Sequence, residues 1–202
     1  VRRSGVTSSP SIWSRLSSPG TDALSRLRIV GGEWKRRYIN FHALPGLRPT
    51  PDAVRETLFN WLGQDLTGLA CLDLFAGSGV LGFEAASRGA THVTLVERDA
   101  RTFAALRDAA AALGTERLEL VRADAVKFLA RATRRYDLLF LDPPYRQGWI
   151  ERVAPMLTGV LAADARIYVE AEHFIERVGS WETVRSGRAG QVCYHLLEAL
   201  QT

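Results

Sequence analysis

Asp142-Pro143-Pro144-Tyr145 is a stretch whose residue types and order already imply chemistry. It follows the apolar run Leu138-Leu139-Phe140-Leu141, the mark of a buried strand that ends where the prolines begin. Two successive prolines fix φ twice and remove two backbone donors. What remains is a stiff ledge with a carboxylate, free carbonyls and an aromatic ring. Such a ledge suits a planar base bearing an exocyclic amine, with acceptors for its N–H groups and a ring to stack on it. On this reading Asp142, Pro143, Pro144 and Tyr145 form the catalytic group. Alone, the tetrapeptide has the bland alternative of a rigid exposed turn.

A second constellation lies upstream. Leu72-Asp73-Leu74 runs into Phe75-Ala76-Gly77-Ser78-Gly79, a strand entering a glycine turn that opens a helix. Gly77 and Gly79 allow close approach of the backbone to a ligand. Gly77 to Gly82 also matches G-x-G-x-x-G, and Glu97 ends the next strand, so a dinucleotide reading is available. Three features oppose it. Asp73 sets a carboxylate beside the turn, where a pyrophosphate would be repelled. Asp124 follows the third strand and can accept from an adenine amino group. The fourth strand ends in the amine-binding ledge. Several carboxylates around one pocket suit a cation, and S-adenosylmethionine is the expected cofactor. Asp73, Phe75, Ala76, Gly77, Ser78, Gly79, Glu97, Asp124 and Ala125 are its expected binding residues, with Asp73 alternatively ordering the turn.

The elements that must position these groups follow from periodicity. Strands are expected near 70–75, 92–97, 118–122, 137–142 and 165–171, and helices near 80–88, 100–113, 124–133 and 148–161. Such alternation implies an α/β fold with a mostly parallel sheet and helices on both faces. Residues 181–185 and 191–197 read as a C-terminal antiparallel hairpin joined through 186–190, giving seven strands. Ahead of this body, 27–30 and 34–41 read as two strands about a Gly31-Gly32 turn. Thr50 is the expected N-cap of a helix with Pro51 at its first position and Val54, Leu58, Trp61 and Leu62 as its buried stripe. Arg55 falls off that stripe. Residues 1–25, rich in Ser, Arg, Gly and Pro, read as a disordered extension with the character of a transit peptide or of an upstream start.

Composition bounds the rest. The chain has 202 residues, 47% of them apolar and 24% charged, as expected of a globular domain with a substantial core. No apolar run approaches membrane-spanning length. Cys71 and Cys193 form no C-x-x-C, and the four histidines lack ligand spacing, so a reducing, cytoplasmic setting without a bound metal is expected. Residues 1–50 hold nine Arg or Lys against Asp22 and Glu33, a balance of +7, whereas the remainder stands at −3. A basic N-terminal part on a slightly acidic body points to a polyanion. Lys35, Arg36 and Arg37 beside Tyr38, with Arg48, Thr50 and Arg55, are the expected substrate contacts.

Taken together these residues resemble a class I S-adenosylmethionine-dependent methyltransferase acting on an amino group. Arg28-Ile-Val-Gly-Gly-Glu-Trp34, Gly46-Leu-Arg-Pro-Thr50, Val54 to Leu62 and Ala189-Gly-Gln-Val192 narrow the likeness to bacterial small-subunit rRNA guanine-N2 methyltransferases of the RsmD type, over about residues 27–199. The resemblance implies a Rossmann-like fold and methylation of the exocyclic N2 of one guanine in 16S rRNA, on an assembled or assembling small subunit. It assigns cofactor contacts to Gly77, Ser78, Gly79, Glu97, Asp124 and Ala125, and the target base to Asp142–Tyr145. The implied division is an extension at 1–25, an RNA-contacting hairpin and helix at 26–63, and the methyltransferase domain at 64–202. A monomer is expected. Rival readings are a DNA amino-methyltransferase, a small-molecule or protein methyltransferase, and a non-catalytic RNA-binding module. The absence of a large target-recognition insertion weighs against the first. The basic appendage weighs against the second, and intact Asp142 and Glu97 against the third.

Overall fold

The computed structural model describes residues 24–42 and 49–200. The expectations for residues 1–23 and for Arg48 lie outside these. A short antiparallel hairpin, β1 (Leu24–Arg28) and β2 (Tyr38–His42), precedes helix α1 (Asp52–Leu62). Five strands then alternate with four helices: β3 (Ala70–Asp73), α2 (Val80–Ser87), β4 (His92–Glu97), α3 (Ala100–Leu113), β5 (Leu118–Arg122), α4 (Ala125–Leu129), β6 (Tyr136–Leu141), α5 (Trp149–Leu157) and β7 (Leu161–Ala171). Strands β8 (Arg177–Val178), β9 (Trp181–Ala189) and β10 (Val192–Ala199) close the chain.

The main sheet runs β5-β4-β3-β6-β7-β10-β9-β8, with the first five strands mutually parallel and the last three antiparallel. The chain steps outward from β3 to β5, then returns to β6 on the other side of β3. Ligands of open α/β sheets bind at such a reversal, beyond the carboxyl ends of the strands. One face packs Cys71, Leu95, Leu138 and Phe140 against α1, α2 and α3. The other packs Leu72, Leu139 and Leu141 against α4 and α5. Alternation along the buried strands thus feeds two cores.

Four local differences from the sequence reading have physical causes. First, residues 33–36 form a turn rather than strand: Trp34 is buried, and its N–H donates to Ser87 Oγ at 2.9 Å. Second, the main sheet gains β8, which pairs with Trp181 and Glu182. Third, β9 runs on through Ser186-Gly187-Arg188, expected as a loop. Gly187 lies flat under Tyr194, whose ring would stand 2.4 Å from any added Cβ. Fourth, α1 begins at Asp52, with Pro51 as its N-cap and no side-chain cap; Thr50 faces elsewhere.

Arg55 is the largest correction. It is fully buried, not exposed toward substrate. Its guanidinium pairs with Glu84 of α2 and with Asp52, and donates to the carbonyls of Thr50 and Arg28. Glu84, also fully buried, pairs with Arg88 and accepts from Val30 N–H at 2.7 Å. This network clasps hairpin, α1 and α2 together. The turn is pressed onto the end of α2: a Cβ on Gly31 would lie 2.2 Å from Arg88 Nη2, and one on Gly32 would lie 1.9 Å from the Ser87 carbonyl oxygen. Removing one partner of a buried ion pair strands a charge, at about 3–5 kcal/mol. Glu84→Gln should therefore lower unfolding stability in urea by about that amount. An unchanged midpoint would contradict the role given to the network.

Candidate active site

Strand register builds the site. Leu95 of β4, Asp73 of β3, Phe140 of β6 and Tyr168 of β7 are lateral neighbours. Side chains two residues apart share a face. Glu97, Asp142 and Glu170 consequently share the face of Asp73, two residues beyond its level, and the four form an acidic row at the carboxyl ends of four adjacent strands. No described Arg or Lys makes an ion pair with any of the four. A cleft of about 820 Å³ opens over this edge. Asp73, Glu97, Asp124 and the ledge Asp142–Tyr145 all line it, as do Phe75, Ala76, Gly77, Ser78 and Ala125.

Each acid is held differently. Asp73 Oδ2 accepts from Gly82 N–H at 3.1 Å, so this residue orders the start of α2 as well as facing the cleft. Glu97 spans two backbones, accepting from Gly77 N–H at 3.0 Å and from Asp99 N–H at 2.7 Å. Asp124 caps α4, with Oδ1 taking the N–H groups of Val126 and Lys127. Glu170 is buried and accepts from the hydroxyls of Thr50 (2.6 Å) and Tyr168 (2.9 Å) through Oε1. Thr50 therefore reaches the site, lining the cleft while tying the α1 entry to β7.

Crowding of like charges out of water raises their proton affinity. Burial first, then the nearby carboxylates Glu97 and Glu170, push Asp73 up to about 7, against the Gly82 bond that lowers it. Burial, Glu170 and Asp73 push Asp142 well above the ordinary carboxylate range. Burial raises Glu170, while its Thr50 and Tyr168 bonds pull it back. A cationic ligand fits this row, because it would replace proton uptake as the source of positive charge. The glycine turn fits as well: Gly77 has φ +51°, a conformation that a side chain disfavours.

The structure separates other expected residues from the cleft. Gly79 does not line it; this left-handed N-cap of α2 packs under Leu106 and Phe83, leaving no room for a Cβ. Lys35, Arg36 and Arg37 sit at the far ends of α2 and α3, where Arg37 donates to the Ala112 carbonyl at 2.7 Å. The cleft meets only the first turn of α2, so this basic turn lies about 12 Å away, one eight-residue helix length. Conversely, Trp149, Arg98, Arg146, Glu172, Arg188 and Gln191 line the cleft without having been singled out as site residues. Trp149 stands edge-on to Phe75, at 5.3 Å, and carries Arg152 on its face. An aromatic four residues past the ledge, at the start of an amphipathic helix, was the available signal.

Asp73 titrates near pH 7 in the folded chain and near the ordinary carboxylate value when unfolded. Between those limits the folded state holds more protons, so its stability falls as pH rises through the window. Asp73→Asn keeps an acceptor for the Gly82 N–H and removes the charge. In thermal unfolding without ligand, the variant should exceed the parent at pH 8 by about 1–3 kcal/mol, with the difference shrinking toward pH 5. Equal melting temperatures at pH 8 would refute the charge crowding.

Residues 27–198 match the family model described as "Conserved hypothetical protein 95". Ribosomal RNA small subunit methyltransferase D of Escherichia coli is 40% identical over 188 residues, covering 91% of this chain and 95% of that protein. The Haemophilus influenzae protein of the same name is 36% identical, covering 88% and 96%. A solved Escherichia coli chain named yhhF matches with TM-score 0.79 and 41% identity, over 87% of this chain and 98% of its own. With the class I methyltransferase fold, the cleft and the sequence likeness in agreement, this chain belongs to the ribosomal RNA small subunit methyltransferase D family.

Proposed function

We propose that this protein transfers a methyl group from S-adenosylmethionine to the exocyclic N2 of a specific guanine in the 16S rRNA of the small subunit. The observation that carries the reading is the opening of the Asp142–Tyr145 ledge into the same cleft as the glycine turn and the acidic row. Family membership supports the ribosomal substrate. The division follows the sequence: residues 64–202 form the methyltransferase domain, and 26–63 form the appendage. The protein acts as a monomer in the cytoplasm, and no described helix is long and apolar enough to cross a membrane.

S-adenosylmethionine, when bound, supplies an electrophilic methyl on a sulfonium, with a neutral thioether as leaving group. The chain's own residues do the rest. Gly77 and Ser78 bring backbone to the cofactor, and Glu97 accepts from ribose hydroxyls while bracing the turn through the Gly77 N–H. Asp124 offers its second oxygen to the adenine amine, with Ala125 beside it. Asp73 and the row behind it compensate positive charge.

At the ledge, a guanine amine must be made nucleophilic, because its lone pair is delocalised into the ring. The Asp142 carboxylate and the Pro143 carbonyl accept its two N–H groups out of plane, favouring a pyramidal nitrogen. Tyr145 stacks on the base and fixes its plane, and Pro144 keeps the ledge rigid. Positioning carries most of the rate. Asp142 then takes the released proton. Its raised proton affinity, set by burial and by Glu170 and Asp73, suits that task. A base in a helix must leave the stack to reach the pocket.

Asp142→Ala should cut methyl transfer by about 100-fold or more while cofactor binding by calorimetry persists. Full turnover in this variant would remove the role given to Asp142. Mass mapping of small-subunit RNA from cells with and without the protein should show one N2-methylguanine that depends on it. An identical modification pattern would defeat the proposed activity.

A further inference from the structure

The rim of the cleft carries cations that the cofactor reading does not use. Arg188 of β9 lies beside Cys193 of β10, which lies beside Ala171, the last residue of β7. It is therefore level with the ledge, with β7 and β10 between them, and it lines the cleft mouth. Its Nε donates to the Gly190 carbonyl at 3.0 Å, which holds the exposed guanidinium across the hairpin end. Arg146 follows Tyr145 directly and is 88% exposed. Glu172 pins it twice, accepting from its backbone N–H at 3.1 Å and from its Nε at 3.0 Å. This fixes Arg146 at φ +60°, an unusual conformation for a residue with a side chain. Arg185, also exposed, lies three residues back along β9, on the opposite face of the strand and away from the cleft edge. Neither Arg185 nor Arg188 has an acidic partner among the described residues. Beyond Thr183, whose N–H donates to the Glu176 carbonyl, β9 has no strand neighbour on its outer side among the described residues.

We propose that Arg146 and Arg188 form a phosphate track at the cleft mouth that receives the RNA strand carrying the target base, so that the substrate enters over the C-terminal hairpin. This rests on the RNA reading above. Charge complementarity names the occupant: two arginines on the rim of a base-sized pocket fit a polyanion whose bases project from a charged backbone. Arginine suits bidentate phosphate contact. The basic turn at Lys35–Arg37 faces away from the ledge and touches only RNA well beyond the target nucleotide.

The test uses the full chain and small ribosomal subunits from cells lacking this modification. Arg146 and Arg188 are exposed, so R146A/R188A should fold like the parent. Its KM for subunits should rise about tenfold, and the slope of log binding constant against log salt should fall by about one per cation removed. Cofactor affinity should be unchanged, and R188E should be worse than R188A. K35A/R36A/R37A should change KM by less than about twofold. Active parent protein with a parent-like KM and salt slope in R146A/R188A would overturn the track and leave the activity standing. So would a larger effect from the K35A/R36A/R37A variant. A parent that transfers no methyl to these subunits would sink the activity, and the track with it.

Discussion

Four carboxylates on one face of one sheet edge cannot all be charged without a cation. That constraint governs the molecule. It follows from register: parallel neighbours in step place Glu97, Asp142 and Glu170 on the face of Asp73, two residues beyond its level, where the strands end. The fold tolerates the crowding by holding protons on buried members and by giving others fixed donors: the Gly77, Asp99 and Gly82 N–H groups and the Thr50 and Tyr168 hydroxyls. A row so arranged is prepared for a positively charged ligand, and the same crowding keeps Asp142 basic. Cofactor recognition and proton acceptance are thus two results of one electrostatic arrangement.

The rest of the chain serves that edge. No member of the Arg55–Glu84–Arg88 network, completed by Asp52, lines the cleft, yet it fixes α1 relative to α2. Through α1 it sets the position of Thr50, whose hydroxyl reaches Glu170 across the sheet. The N-terminal hairpin is accordingly part of the scaffold rather than an independent arm. Its cations serve it locally: Arg37 meets the carbonyl end of α3, and Arg28 pairs with Asp52.

Much of this was legible in residue order. Apolar runs located the five parallel strands, and the glycine turn and proline ledge marked the two halves of the cleft. What stayed hidden depended on partners distant in sequence. Arg55 read as surface because nothing near it announced Glu84, 29 positions on. The signal was Glu84 itself, a lone charge in a helix otherwise without one, which must find a buried cation. Thr50 read as a cap because Pro51 follows it; its actual acceptor lies 120 positions away. Lys35–Arg37 showed composition but not location, since local charge does not say which end of a sheet it decorates. Gly187 read as a turn because its role, lying under the Tyr194 ring, exists only once two strands pair.

The packing of the Gly31-Gly32 turn onto α2 sets a limit on how this sequence can vary. The backbone there passes so near Ser87 and Arg88 that a single methyl group has nowhere to go. Ser87 Oγ both donates to the Gly31 carbonyl at 2.6 Å and accepts from Trp34. Neither side of that contact can drift alone: the two glycines, the serine and the arginine form an inheritance unit, although none of them touches the cleft.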